Sequence, residues 1–342
     1  MVIRMSTKLS KTSHFDVIII GANISGALMA LRLEQEKNQF KIVVFEKTGI
    51  SECYKNSDII PFYINRRVDI PNIEWKCVSI TTQLWDNYMF FSVADEKQRA
   101  MYAKKITGRH CKTTLDSITH KKTIFIPTNH KVDGRQKVIL SSSYDSLKTT
   151  SIYFSRQVIS IDINKKEVHD NHGNTVKYKY LISTIPLPQL LSMLNITSEF
   201  ELPCYKKDFY INIIETDLAN KYHVIYCSDP KVRINRIAYL RNKLYIESPI
   251  KIQLNTLNST ERAFIEHSKK TFRVADLPLQ FKNASYPRFV ENDADETNRF
   301  TEFLKIHDVF LLGRYASWRF LLTEDIWDKT NDIVCAMKGG KV

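Results

Sequence analysis

Glycine is scarce in this chain, nine residues in 342, and proline is hardly commoner at ten. No Pro/Gly-rich linker divides the chain, and no repeat or low-complexity segment occurs, so repeat arrays and tethered beads are excluded. The six cysteines (Cys53, Cys77, Cys111, Cys204, Cys227 and Cys335) are scattered and form no CxxC pair. That spacing excludes a disulfide framework, and free thiols are expected. Nine histidines show no HExxH or other ligand spacing, so no metal site is expected. No apolar run approaches the roughly 18–20 residues of a membrane helix. The opening MVIRMSTKLSKTSHF lacks the apolar centre of a secretory signal. A cytoplasmic protein with no membrane partner is the expectation. The sequon Asn23-Ile24-Ser25 agrees, because it falls inside a tight turn that would not accept a glycan.

What is present describes a folded protein: 43% hydrophobic and 25% charged residues, long enough for two interleaved lobes. The bulk property that stands out is a net charge of +13. A basic surface attracts polyanions, which makes nucleic acid a candidate partner beside a nucleotide-linked anionic substrate. The competing reading is a plain lysine-rich surface. The basic residues cluster only in short pairs such as Arg66-Arg67, Lys104-Lys105, Lys121-Lys122 and Lys269-Lys270.

The strongest local signal lies near the start. His14 to Gly21 (HFDVIIIG) is a continuous apolar, β-branched run ending in glycine, as a buried parallel strand reads. Ile24 to Glu36 carries Ala27, Leu28, Ala30, Leu31 and Leu33 at helical spacing, and Lys41 to Glu46 (KIVVFE) reads as a second buried strand. Together they have the length of one βαβ crossover. The turn GANISG puts Gly21, Asn23 and Gly26 at the three positions of a G-x-G-x-x-G dinucleotide fingerprint. The second position is asparagine, the non-glycine residue that best tolerates positive φ, so the turn is expected to survive there. The amides of Ile24 and Ser25 are expected to face the phosphates from the helix N-terminus. Glu46, twenty residues after Gly26, is placed to accept ribose hydroxyls and to repel a 2′-phosphate, which favours FAD or NAD over NADP.

Further along, a helix is expected near residues 95–105, and short strands at residues 124–126, 137–140 and 152–154. Residues 157–163 and 176–184 read as a hairpin around His172-Gly173, with a helix at residues 187–194. Residues 209–214, 223–227, 236–240 and 243–247 alternate like an antiparallel sheet. A strand at residues 309–313 and a helix from about residue 323 to 337 close the chain. In that helix Thr323 is expected to cap, with Glu324 and Asp325 favourable at the positive end of the dipole.

Several of these segments together resemble the FAD-containing amine oxidases and the related UDP-galactopyranose mutases. HFDVIIIGANISGALMALRL followed by IVVFEK is similar to their N-terminus. RQVISIDINKKEVHDNHGNTVKYKYLISTIPLPQLL resembles their middle flavin segment, and DVFLLGRYASWRFLLTEDIWD their C-terminal flavin motif. VIYCSDPKVRINRIAYLRNKLYIE and NASYPRF are similar to a mutase-like substrate lobe. Two departures stand out: the glycine pair expected after the ribose-binding acid is missing from EKTGISECYKNS, and the chain is short for either family.

The resemblance implies an α/β fold: a Rossmann-like FAD-binding domain interleaved with an α+β substrate domain built on an antiparallel sheet. The FAD-binding domain would comprise residues 1–75, 146–200 and 301–342, with a helical region at 76–145 and the antiparallel substrate sheet at 201–300. FAD is the implied cofactor. Its binding set would be Gly21, Asn23, Ile24, Ser25, Gly26, Glu46, Lys47, Val158 on the adenine side, Thr184 (with Ser183), Pro186, Gly313, Arg314, Thr323 and Glu324. Substrate-facing candidates are Arg236 for an anionic group, Tyr286, Arg314 and Trp318, with Tyr315 behind them. No Ser/His/Asp or Cys/His arrangement points to a protein nucleophile. The implied activity is oxidation of a C–N bond in a small or nucleotide-linked substrate. The alternatives are a non-redox flavin mutase or lyase acting on a nucleotide sugar or modified DNA base, and a non-catalytic flavin-binding protein.

Overall fold

The computed structural model describes residues 12–36, 40–49, 64, 66–86, 89–91, 96–107, 123–127, 135–194, 196, 200, 202, 206–215, 221–241, 243–250, 252, 254–272, 282–289, 294–319 and 321–339. Its strands are β1 (Thr12–Ile20), β2 (Ile42–Phe45), β3 (Trp75–Ser79), β4 (Thr81–Asp86), β5 (Met89–Phe91), β6 (Thr123–Pro127), β7 (Ser151–Tyr153), β8 (Val158–Asp162), β9 (Glu167–Asp170), β10 (Thr175–Ser183), β11 (Lys206–Glu215), β12 (Lys221–Cys227), β13 (Arg236–Arg241), β14 (Lys243–Ser248), β15 (Lys282–Phe289) and β16 (Val309–Leu311). Its helices are α1 (Ile24–Gln35), α2 (Glu96–Thr107), α3 (Arg135–Asp145), α4 (Leu187–Leu194), α5 (Ser259–Phe272), α6 (Ala294–Ile306) and α7 (Thr323–Met337).

The unbroken apolar character of β1 and β2 follows from burial on both faces of a parallel sheet. Successive strand side chains point to opposite faces. Val17 and Ile19 of β1, with Ile42 and Val44 of β2, enter the core shared with α1, α3 and α7. Ile18 and Ile20, with Val43 and Phe45, enter a second core shared with α4 and α6. A polar residue at any of these positions would face a core, so no polar alternation is seen.

The parallel strands run in the order β7-β2-β1-β10-β16, drawn from three separate stretches of the chain. The long β10 carries two partners along its outer edge. Thr175–Lys177 pair with β9 and Leu181–Ser183 with β16. The antiparallel β8-β9-β10 meander thus hangs from the same strand that completes the parallel sheet.

A second sheet runs β15-β11-β14-β13-β12-β4-β5, antiparallel except where β12 meets β4, and a small sheet pairs β3 with β6. One face of the second sheet is covered by α5 through Phe264 and Ile265, and the other receives Tyr102 of α2. Lys105 ties α2 to this sheet: its Nζ donates to the carbonyls of Cys227 (3.0 Å), Asp229 (2.9 Å) and Ile234 (2.9 Å).

The strand expected at residues 137–140 is instead the middle of α3. Val138, Ile139 and Leu140 are all buried, and a short apolar run reads alike for a strand and for a buried helical turn. The hairpin expected over residues 157–184 holds the extra strand β9, whose Val168 is buried beside Val176. Cys77 and Cys335 are exposed free thiols and Cys227 is buried. Cys53, Cys111, Cys204, Asp95 and the EKTGISECYKNS stretch beyond Gly49 lie outside the described residues.

Candidate nucleotide-binding site

Three chain segments meet at the C-terminal ends of the parallel strands, where open α/β sheets bind ligands. Gly21 N–H donates to Phe45 O (2.8 Å), Thr184 N–H to Ile20 O (3.0 Å) and Leu312 N–H to Ser183 O (3.0 Å). These bonds bring together the β1–α1 turn, the end of β10 and the segment after β16.

The glycines here answer to close approach. A Cβ on Gly26 would stand 2.0 Å from Gly21 O, so only glycine lets α1 start this near the strand end. Gly313 has φ 99°, and a Cβ there would meet Ser25 Oγ at 2.2 Å. The β1–α1 turn and the segment after β16 are therefore pressed against each other, Ser25 on the first and Gly313 on the second.

Asn23 differs from its sequence-based expectation. Its φ is −75° and ψ −176°, ordinary extended backbone, and the positive φ of the turn belongs to Gly21. Asparagine stands here as the N-cap of α1. Its Oδ1 accepts from Ser25 N–H (2.9 Å) and Gly26 N–H (3.3 Å). Its Nδ2 donates to Thr184 O (2.9 Å) and Thr184 Oγ1 (3.1 Å). The Ser25 amide expected to face phosphate is thus engaged by the chain's own side chain.

Glu46 sits at the end of β2 and is buried. Its Oε2 accepts from Ala22 N–H at 2.8 Å, and its Oε1 from the N–H and hydroxyl of Thr48 at 2.9 and 2.8 Å. A carboxylate offers about four acceptor positions, which leaves one on Oε2 for a ligand hydroxyl. Ala22 and Thr48 were not singled out from sequence. The acid–x–threonine spacing was the available signal, since a hydroxyl two residues on folds back onto a carboxylate. Lys47 beside them is exposed. The segment after β7 completes this corner: Arg156 N–H donates to Glu46 O (2.8 Å), and Tyr153 stacks on Phe45 at 5.8 Å.

The remaining candidates divide. Thr184 Oγ1 donates toward Ile20 O (2.8 Å) and Gly21 O (3.0 Å), which places it at the floor of the turn. Pro186 is exposed and immediately precedes α4, its carbonyl accepting from Gln189 and Leu190 N–H. Val158 opens β8 and is buried in the core. Arg314 donates from Nη2 to Leu321 O (3.0 Å), bracing the Gly313 loop against the approach to α7. Thr323 does not cap α7. The N-cap is Leu322, whose N–H donates to Asp325 Oδ2 at 2.7 Å, so the acid at the third position satisfies the helix start. Glu324 is buried in this first turn. Trp318, expected against substrate, is 2% exposed and belongs to the core around Leu187 and Leu190. Burial raises the pKa of the Tyr315 phenol despite the nearby Arg314.

Arg236 and Tyr286 lie on the second sheet. Arg236 stands opposite Glu247 in the β13–β14 register, and its Nε donates to Glu247 Oε2 at 2.6 Å, with Glu247 2% exposed. Glu247 was not anticipated. The pairing of Leu240 with Lys243 fixes the register and hence which residue faces Arg236. Tyr286 lies on β15 opposite Phe209.

The fold is shared with UDP-galactopyranose mutase. The reduced mutase matches at 13% identity and a TM-score of 0.62, over 95% of this chain and 96% of the other. Glycine oxidase from Geobacillus kaustophilus matches at 10% identity and 0.56, over 96% of both chains. A probable FAD-dependent monooxygenase from Pseudomonas aeruginosa matches at 12% and 0.50, over 95% of this chain and 87% of the other. No protein-family model matches the sequence, and no curated protein matches it. At these identities the likeness is one of fold, in agreement with the α/β architecture and the flavoprotein resemblance read from sequence. Among the described residues, no helix is long and apolar enough to cross a membrane.

Proposed function

We propose that this chain is an FAD-binding enzyme, an oxidoreductase of the amine-oxidase type acting on a C–N bond of a small or nucleotide-linked substrate. The observation that carries the reading is the Glu46 corner: a buried acid at the end of β2, hydrogen-bonded to the glycine turn and keeping one acceptor position. Its chemistry fits the ribose of a dinucleotide. The likeness of fold to a mutase, an oxidase and a monooxygenase supports the flavin over a nicotinamide.

Bound FAD would supply hydride acceptance at its ring, chemistry that no side-chain cluster named above provides. The chain's part is to hold and orient. Glu46 would accept a ribose hydroxyl on its remaining acceptor position, while Gly21, Gly26 and Thr184 would shape the turn that receives the pyrophosphate. Gly313 and Arg314 would hold it from the segment after β16, and the first turn of α7, at Thr323 and Glu324, would offer the positive end of its dipole to the bound group. Arg236, held in place by Glu247, would face an anionic group of the substrate.

A second reading, a flavin mutase or lyase without net redox change, is supported by Arg236 and by the net charge of +13, which suits a nucleotide-linked or nucleic-acid substrate. An absorbance spectrum of the purified protein, followed by release and identification of any chromophore, tests the shared premise. Released FAD is the expected result; a colourless protein that FAD does not reconstitute overturns it. Anaerobic bleaching of the flavin by an amine then supports the oxidase reading. Turnover that requires pre-reduced flavin and consumes no oxygen supports the second.

A further inference from the structure

We propose that Asn23 is a resident competitor for the pyrophosphate and sets the affinity of the site, an inference that rests on the dinucleotide reading above. A glycine at this position leaves the start of α1 open to a phosphate, whose oxygens accept from helix N-terminal amides. In this chain the same amides, Ser25 N–H and Gly26 N–H, already donate to Asn23 Oδ1 at 2.9 and 3.3 Å. The carboxamide is also held from its other end, because both Nδ2 hydrogens go to Thr184, at 2.9 Å to its carbonyl and 3.1 Å to its hydroxyl.

All of the group's polar valences that matter are met: two acceptor contacts on the oxygen and two donor contacts on the nitrogen. That pattern also fixes its orientation, since a flipped amide would point NH2 at two N–H donors and oxygen at the Thr184 carbonyl. Thr184 is itself anchored, its Oγ1 lying 2.8 Å from Ile20 O and 3.0 Å from Gly21 O. On the opposite wall, Ser25 is packed closely against Gly313. A pyrophosphate gains them only by displacing Asn23, and the four hydrogen bonds given up are subtracted from its binding. The adenosine half escapes this cost, because Glu46 lies at the end of a different strand.

The test compares wild type with N23G and N23S, using FAD, ADP and adenosine as separate titrants in calorimetry, with thermal melting to confirm folding. Glycine is a tolerated N-cap, so N23G retains the helix start, and serine reaches one amide but not Thr184. The expected result is that N23G binds FAD and ADP about ten-fold or more tightly than wild type, the size of a charge-assisted hydrogen bond. N23S should fall between them, and adenosine should change by less than about two-fold. Adenosine binding with no gain, or a loss, for FAD and ADP in both variants overturns the competition while leaving the nucleotide reading intact. If neither wild type nor the variants bind any of the three titrants, the nucleotide reading itself falls, and this inference with it.

Discussion

Gly26 lies so close beneath Gly21 that a Cβ added to it would stand 2.0 Å from the Gly21 carbonyl oxygen. The obstacle is backbone, so it cannot rotate away, and either α1 or the end of β1 must move. Overpacking of this kind costs about 1–3 kcal/mol in a well-packed interior. G26A is expected to lose stability at the upper end of that range in urea denaturation. A loss below about 0.5 kcal/mol, the level of an ordinary surface change, would show that the turn relaxes freely.

How much of this was legible in the sequence depends on whether the signal was local. The βαβ start could be read because β1 and β2 are apolar on both faces and Gly26 marks a contact between near neighbours. The helical nature of residues 135–145 could not, since Val138-Ile139-Leu140 has no period and its burial is decided by packing against α1. The second sheet was visible as alternation, but not its order, which threads β4 and β5 in beside β12. Asn23 was recognised as a departure and given the wrong physics. Its role depends on Thr184, 161 residues away, and nothing near it in sequence discloses that partner. Leu322 as a cap is opaque for a different reason: its side chain offers no acceptor, and the carboxylate of Asp325, three residues on, takes that part instead.

Glu34 links stability to pH. Burial tends to raise its pKa, but backbone N–H bonds from Lys148 (2.7 Å), Thr149 (2.9 Å) and Thr150 (2.6 Å) outweigh this and hold it below the ordinary 4.5. A depressed folded-state pKa stabilises the fold above the unfolded value and loses that contribution as pH falls through the folded one. E34Q is therefore expected to be less stable than wild type at pH 7, and the gap should close as pH drops below 4.5. Denaturant midpoints measured for both proteins across that window check it. A gap that stays constant with pH would mean the carboxylate charge is not what these amides hold.

Lys105 is the fastening between α2 and the 227–234 loop. Its ammonium meets three main-chain carbonyls at 2.9–3.0 Å, and burial lowers its pKa. K105M keeps the aliphatic stem but takes the ammonium from those carbonyls, of which Asp229 O keeps Val232 N–H (3.3 Å); each buried group left unsatisfied costs about 1–3 kcal/mol. Water reaching the loop would reduce the total, so a loss of roughly 2–4 kcal/mol in equilibrium unfolding is the expectation. Raised hydrogen exchange confined to residues 227–235 should accompany it. Unchanged stability would show that the loop closes on itself without the lysine.

Arg236 and Glu247 separate structural from functional value within one pair. Glu247 is 2% exposed and receives Arg236 Nε at 2.6 Å, so R236M takes the guanidinium away from a buried carboxylate. Removing one partner of such a pair costs about 3–5 kcal/mol, whereas replacing both with apolar residues is often neutral. The double variant R236M/E247M should therefore recover most of the stability lost in R236M. If Arg236 also holds an anionic substrate, activity does not return with the fold: KM rises in both variants, and a neutral substrate analogue is affected equally little by each. Recovery of KM along with stability in the double variant would reduce Arg236 to a strut of the β13–β14 hairpin and move the search for the anion contact elsewhere on the sheet.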